Sequence, residues 1–141
     1  MDDVVLAKAA VIERWIGRVH EEHGGDDVRL TKDLRRQDSI ILNLQRACEA
    51  SIDLAMHLVR RERLGIPQDS REAFDLLAAA EMLEPDLAES LRRMVGFRDV
   101  AVHDYTRLHL DIVRSIITRG LGDLGRFAAE CLRRYAQIPE R

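Results

Sequence analysis

Residues 40–59, IILNLQRACEASIDLAMHLV, decide the fold. Ile40, Ile41, Leu44, Ala47, Cys48, Ile52, Ala55 and Val59 recur three and four residues apart, the period of one buried helical face. Leu, Ala, Arg and Glu are abundant throughout the chain, and no β-type alternation of useful length interrupts them, so helix is predicted throughout. The central helix is expected from about Val28 or Thr31 to Arg63, with Leu64-Gly65-Ile66-Pro67 ending it.

Upstream, Val5, Ala9, Ile12, Ile16 and Val19 form the stripe of a first helix from about Asp2 to His23, with Trp15 beside it and Gly24-Gly25 as its stop. Downstream, Asp69 is placed to cap a third helix and Glu72 to complete a capping box. That helix is expected to bury Ala73, Phe74, Leu77 and Ala80, with Met82 or Leu83 beyond them. Pro85 opens a fourth helix burying Leu87, Leu91, Met94 and Val95. A fifth is expected over Leu108–Arg119, with Leu108, Ile112 and Ile116 inward and Val113 and Ile117 widening the face. Gly120-Leu121-Gly122-Asp123 then reads as a break before a last helix burying Leu124, Phe127, Ala128, Cys131, Leu132 and Tyr135. Short connections imply an all-α, up-down antiparallel bundle of five to six helices, in one domain over residues 1–141.

The bulk properties narrow the function. A chain of 141 residues buries a core without staples. Its two cysteines, Cys48 and Cys131, lie on apolar faces and match neither a disulfide framework nor a metal site, so a reducing cytoplasm is expected. Met1-Asp2-Asp3 is acidic where a signal peptide is basic, and the apolar runs are too short to span a membrane. The net charge of −3 argues against a generally basic nucleic-acid binder, yet residues 91–141 carry ten arginines against six acidic residues.

Within that basic part lies Gly96-Phe97-Arg98-Asp99-Val100-Ala101-Val102-His103-Asp104-Tyr105. The apolar face of the fourth helix, continued, passes through Arg98, Val102 and Tyr105, so an arginine stands where the pattern asks for a leucine. Such breaks of local rules mark functional sites. Arg98 and His103 are five residues apart and point about 140° away from each other on a straight helix. Their convergence needs a helix end or distortion near His103, or two copies of the stretch facing each other across a twofold interface. Together they suit phosphodiester chemistry: a histidine moves protons near neutrality, and an arginine fork binds phosphate oxygens as charge develops. Asp99 and Asp104 are placed to orient them. No metal is suggested, since neither HExxH nor Cys/His ligand spacing occurs. Arg46, Glu49 and Asp53 on the central helix read either as a solvated charge cluster or as a polar wall of the site. His20, His23, His57 and His109 have no comparable partners in the sequence.

The run Arg98-x-x-x-x-His103-x-Tyr105 resembles the Rx4HxY signature of the HepT-like toxins, all-α ribonucleases of the HEPN superfamily. Gly96-Phe97-Arg98, Asp111, Arg46-Ala47-Cys48-Glu49-Ala50 and Asp53 extend the resemblance, which covers the chain from the first helix to about Phe127. It implies a homodimeric toxin that cleaves RNA without metal at a cleft lined by paired motifs, with transfer RNA as the family-based expectation. It further implies an MntA-type nucleotidyltransferase antitoxin that uses ATP to AMPylate the motif tyrosine. Arg98 and His103 would then be catalytic, Tyr105 the modified residue, and no cofactor of the chain's own would be needed. Asp99 departs from the asparagine common in the family.

Two other readings are open at this point. One is a non-catalytic HEPN module that binds nucleotide or RNA, or serves only as partner of a nucleotidyltransferase. The other is a helical dimerisation domain in which Arg98 pairs with Glu49 or Asp53.

Overall fold

The structure, a computed structural model, describes residues 2–135; Met1, Pro139 and the rest of residues 136–141 lie outside the description. Helix α1 (Asp3–His23) buries Val5, Ala9, Ile12, Ile16 and Val19, the stripe expected from the sequence. Asp2 caps it by accepting from the Val4 and Val5 N–H groups, and Gly24 ends it at φ +60°, a left-handed conformation suited to glycine.

The long second helix is in fact two. Helix α2 (Asp27–Thr31) is a short piece capped by Asp26, and α3 (Leu34–Arg61) starts afresh. The reason is Asp33: its carboxylate accepts from the Arg36 N–H while its own backbone is extended, and a cap cannot also be helical. Helix α3 lies at the centre of the bundle, touching α1, α2, α4, α5 and the C-terminal helix.

Helix α4 (Ser70–Ala79) is capped by Asp69, which accepts from the Glu72 N–H at 2.9 Å; Glu72 in return accepts from the Gln68 N–H at 3.2 Å. Because α4 stops at Ala79, Ala80 is exposed rather than inward, and Leu83 fills the core in its place. Phe74 meets Phe127 edge to face, with ring centroids 5.8 Å apart.

Helix α5 (Pro85–His103) buries Leu87, Ala88, Leu91, Met94, Val95, Phe97 and Ala101. The apolar face does not continue as expected: Val102 and Tyr105 are both exposed. At Asp104 (φ −153°, ψ 58°) the chain leaves the helix, and Tyr105–Arg107 forms one 3₁₀ turn.

The expected break at Gly120–Asp123 is absent. Helix α6 (Leu110–Ser115) starts two residues later than expected and passes through a π turn (Ile116–Gly120) straight into α7 (Leu121–Tyr135). Gly120 serves packing rather than chain reversal: a Cβ there would lie 2.9 Å from Ile116 Cγ2 and 3.1 Å from Met94 Cε. The inward face of α6 runs through Val113, with Ile116 and Ile117 beyond it, and leaves Ile112 exposed. Counting α6–α7 as one rod, six helices are present, and no strand occurs among the described residues.

Candidate active site

The site is built on the last two turns of α5 and the start of α4. Arg98 is half-buried beside the core, its side chain 22% exposed. One terminal nitrogen donates to Ser70 Oγ at 3.2 Å. Its Nε lies 3.1 Å from Asp99 Oδ1, but the N–H is not aimed at an acceptor and is left without a hydrogen bond. Asp99 also faces Arg71, whose Nη1 is 3.9 Å away. The carboxylate thus stands between two guanidinium groups.

Arg98 pairs with neither Glu49 nor Asp53, as the dimerisation-domain reading would require. Glu49 instead accepts from Gln45 at 3.1 Å, Asp53 is exposed, and Arg46 stacks 4.9 Å over the Trp15 ring. These contacts tie that part of α3 to its own surface and to α1. Arg98 does lie near Cys48, whose thiol burial pushes up to about 12 against the opposing pull of that guanidinium. Cys131 is a buried free thiol as well.

His103 is the exposed last residue of α5. The helix remains regular from Arg98 through His103, so the two side chains leave the axis about 140° apart within one chain. The helix end comes one residue too late to bring them together. Asp104 does not orient either of them; its carboxylate takes Arg107 at 3.5 Å. Tyr105, in the 3₁₀ turn beyond, donates its phenol to Asp38 Oδ1 at 2.5 Å. Burial, together with that hydrogen bond and the charge of Asp38, pushes the phenol up to about 12. Asp111 lies further off, bound to Arg114, which also grips Asp27 through two nitrogens.

Ser70, Arg71 and Asp38 escaped the sequence reading because they reach the motif only through the fold. One signal was legible: Gly96, inside a helix where glycine costs about 1 kcal/mol relative to alanine, announces a close neighbour. That neighbour is Arg71, whose Nη2 would lie 3.1 Å from a Cβ at position 96.

A cavity of about 280 Å³ between Leu58, Leu77, Phe127 and Tyr135 includes none of Arg98, His103 and Tyr105. A shallower hollow beside the motif is lined by Val100, Asp104, Thr106, Arg107, Leu108 and His109. Among the described residues, no three His, Cys, Asp or Glu side chains gather as a metal site, and no helix is long and apolar enough to cross a membrane.

An all-helical bundle with an arginine, a histidine and a tyrosine presented at the exposed end of one helix defines a class of protein rather than an individual. The chain belongs to the HepT-like ribonuclease family, whose model, Ribonuclease HepT-like, matches residues 12–131. The mRNA nuclease HepT of Shewanella oneidensis is 46% identical over 127 residues, covering 90% of this chain and 95% of that protein. The fold superposes with a TM-score of 0.87 on a tri-AMPylated Shewanella oneidensis HEPN toxin in complex with MNT antitoxin, at 45% identity and with 92% and 97% of the two chains covered. A toxin–antitoxin structure with AMP-PNP gives the same TM-score at 43% identity over the same shares.

Proposed function

We propose that this chain is the toxin of a toxin–antitoxin pair, a metal-independent endoribonuclease whose catalytic groups are Arg98 and His103. The observation that carries the reading is the placement of Arg98-x4-His103-x-Tyr105 at the exposed end of α5, in a chain 46% identical to an mRNA nuclease. Likeness to an mRNA nuclease favours messenger RNA as the substrate over the transfer RNA expected from the family resemblance.

In this reading two copies of the chain, each a single domain, meet at the ends of α5. The exposed Val100 and Val102 beside the motif supply apolar surface for that contact. The divergence of Arg98 and His103 within one chain favours such a shared site. One His103 takes the proton from a ribose 2′-hydroxyl as its oxygen attacks phosphorus; the other copy's His103 protonates the departing 5′-oxygen. Arg98 stabilises the charge on the phosphorane between these steps. The chain needs no cofactor, and Asp99, beside the Arg98 Nε, acts as a supporting charge, whereas Asp104 is taken up by Arg107. Glu49 and Asp53 lie aside from the reacting groups.

Neutralisation follows by AMPylation. The Tyr105 oxygen attacks the α-phosphorus of ATP held by an MntA-type nucleotidyltransferase antitoxin, pyrophosphate leaves, and the phenolic proton passes to solvent. The added phosphates bring negative charge to the RNA-binding face and repel a nucleic-acid backbone. Such a pair works in the cytoplasm, where its RNA is found.

The test is His103→Ala, expressed with and without the antitoxin. Loss of growth inhibition and RNA cleavage by a folded protein that still gains AMP in intact mass is the expected result. Retained cleavage would remove His103 from the mechanism, and AMPylation with no cleavage even by the wild type would favour the non-catalytic module.

A further inference from the structure

We propose that Arg71, on α4, is a second phosphate-binding residue of the RNA site, on the His103 side of α5. The inference rests on the ribonuclease reading above and adds to it a residue outside the Arg98–Tyr105 motif.

The argument begins with helix geometry. At about 100° per residue, Arg92, Gly96, Asp99 and His103 fall within one stripe of roughly 60° on α5, while Arg98 lies outside it. Arg71 reaches this stripe from α4 by crossing Gly96: a Cβ at position 96 would sit 3.1 Å from its Nη2. The guanidinium then extends toward Asp99, 3.9 Å away. His103 stands one helical turn further along the same stripe, about 6 Å in axial rise. Within a single chain, Arg71 is therefore a cation on the face of the catalytic histidine, whereas Arg98 leaves α5 outside that stripe and meets it only at Asp99.

Its partners leave it available. Asp75, one turn along α4, is occupied by Arg92. The Arg71 side chain is 48% exposed, and 3.9 Å from Asp99 is a loose ion pair between groups in water. Asp99 accordingly places a carboxylate between Arg71 and Arg98, where the two forks converge on one anion. A backbone phosphate, with three-dimensional access to both forks and a choice of oxygens, competes for the same donors. Ser70, adjacent in sequence, already binds Arg98 at 3.2 Å, so one dipeptide at the start of α4 supports both arginines.

The test measures binding of a fluorescent single-stranded RNA oligonucleotide across a range of salt, in the cleavage-inactive His103→Ala background, with Arg71→Gln and Arg71→Lys added in turn. Each phosphate contact to single-stranded RNA contributes about 0.7 to the slope of log K against log salt. Arg71→Gln is expected to lower that slope by about 0.7 and Arg71→Lys to restore it, and in the active enzyme Arg71→Gln should raise KM more than it lowers kcat. An unchanged slope and KM in a folded Arg71→Gln protein, while wild type still cleaves RNA, would overturn the role of Arg71 alone. Wild type that neither binds nor cleaves RNA would overturn the ribonuclease reading with it.

Discussion

The phenol of Tyr105 donates to Asp38 Oδ1 at 2.5 Å, joining the turn after α5 to the second turn of α3. This is a long-range bond between two surface groups, and it fixes where the 3₁₀ turn lies. Burial and the Asp38 hydrogen bond hold the phenol near 12, against an ordinary value of 10.0. Tyr135, which is buried and donates to Glu62 at 3.0 Å, is likewise pushed up to about 12. Spectroscopic titration of the wild type should therefore show both tyrosines ionising late. Asp38→Asn removes the charge but not the burial, so it should lower one transition part of the way and leave the other; a variant titration superposable on that of the wild type would refute the bond.

Tyr105→Phe removes the phenol proposed above as the AMP acceptor, and with it the donor to Asp38, but keeps the ring. With the cognate antitoxin and ATP, this variant should gain no AMP in intact mass, and the antitoxin should no longer relieve its toxicity. AMP found on the variant would place the modification on another side chain.

Gly96→Ala separates stability from function. Alanine in a helix interior is favoured over glycine by about 0.5–1 kcal/mol. The atom it meets is the far end of Arg71, which can move aside. The variant should melt higher while losing less RNA affinity than Arg71→Gln, because the guanidinium is displaced and not removed. A higher melting temperature with RNA affinity unchanged would show that the Arg71 crossing has no part in binding.

Acid should loosen the junction of α1 with α3. Burial alone would raise the Asp2 carboxyl, but hydrogen bonds from His57 and from the Val5 and Val4 amides, with the charge of His57, hold it at about 2 instead of 3.8. His57 lies 2.9 Å and Arg61 3.1 Å from the same oxygen. A lowered folded-state value means that this stabilisation is complete above about pH 4 and fades between about 4 and 2. It is worth on the order of 2 kcal/mol. Urea midpoints of wild type and Asp2→Asn should differ near neutrality and converge at pH about 2; a gap that stays constant would assign Asp2 a purely capping role.

Periodicity carried most of the fold. The buried residues of α1 match the expected stripe one for one, and the ends at Gly24 and Pro85 follow from their backbone chemistry. The errors share a cause. Asp33 was hidden as a cap by good helix formers on both sides, and Gly120 read as a stop although its lack of a side chain serves the contact with Met94. Both depend on which tertiary neighbour a residue meets. The motif residues were legible as a departure from the apolar pattern, but Ser70, Arg71 and Asp38 are 28, 28 and 67 residues from Arg98, Asp99 and Tyr105, and no local period links them.

The π turn at Ile116–Gly120 has a bearing on how the chain tolerates changes in length. Such a turn holds one residue more than α-helical winding requires, a slack that one deletion could take up without breaking the rod. The backbone would return to α-helical winding with α6 and α7 nearly in their present phase, whereas a deletion in the regular part of α7 would turn the two halves by about 100°. Arg114 would then stay on Asp27, keeping the clasp that ties α6 to α2. The turn therefore acts as a length buffer: a single missing codon is harmless inside it and costly on either side.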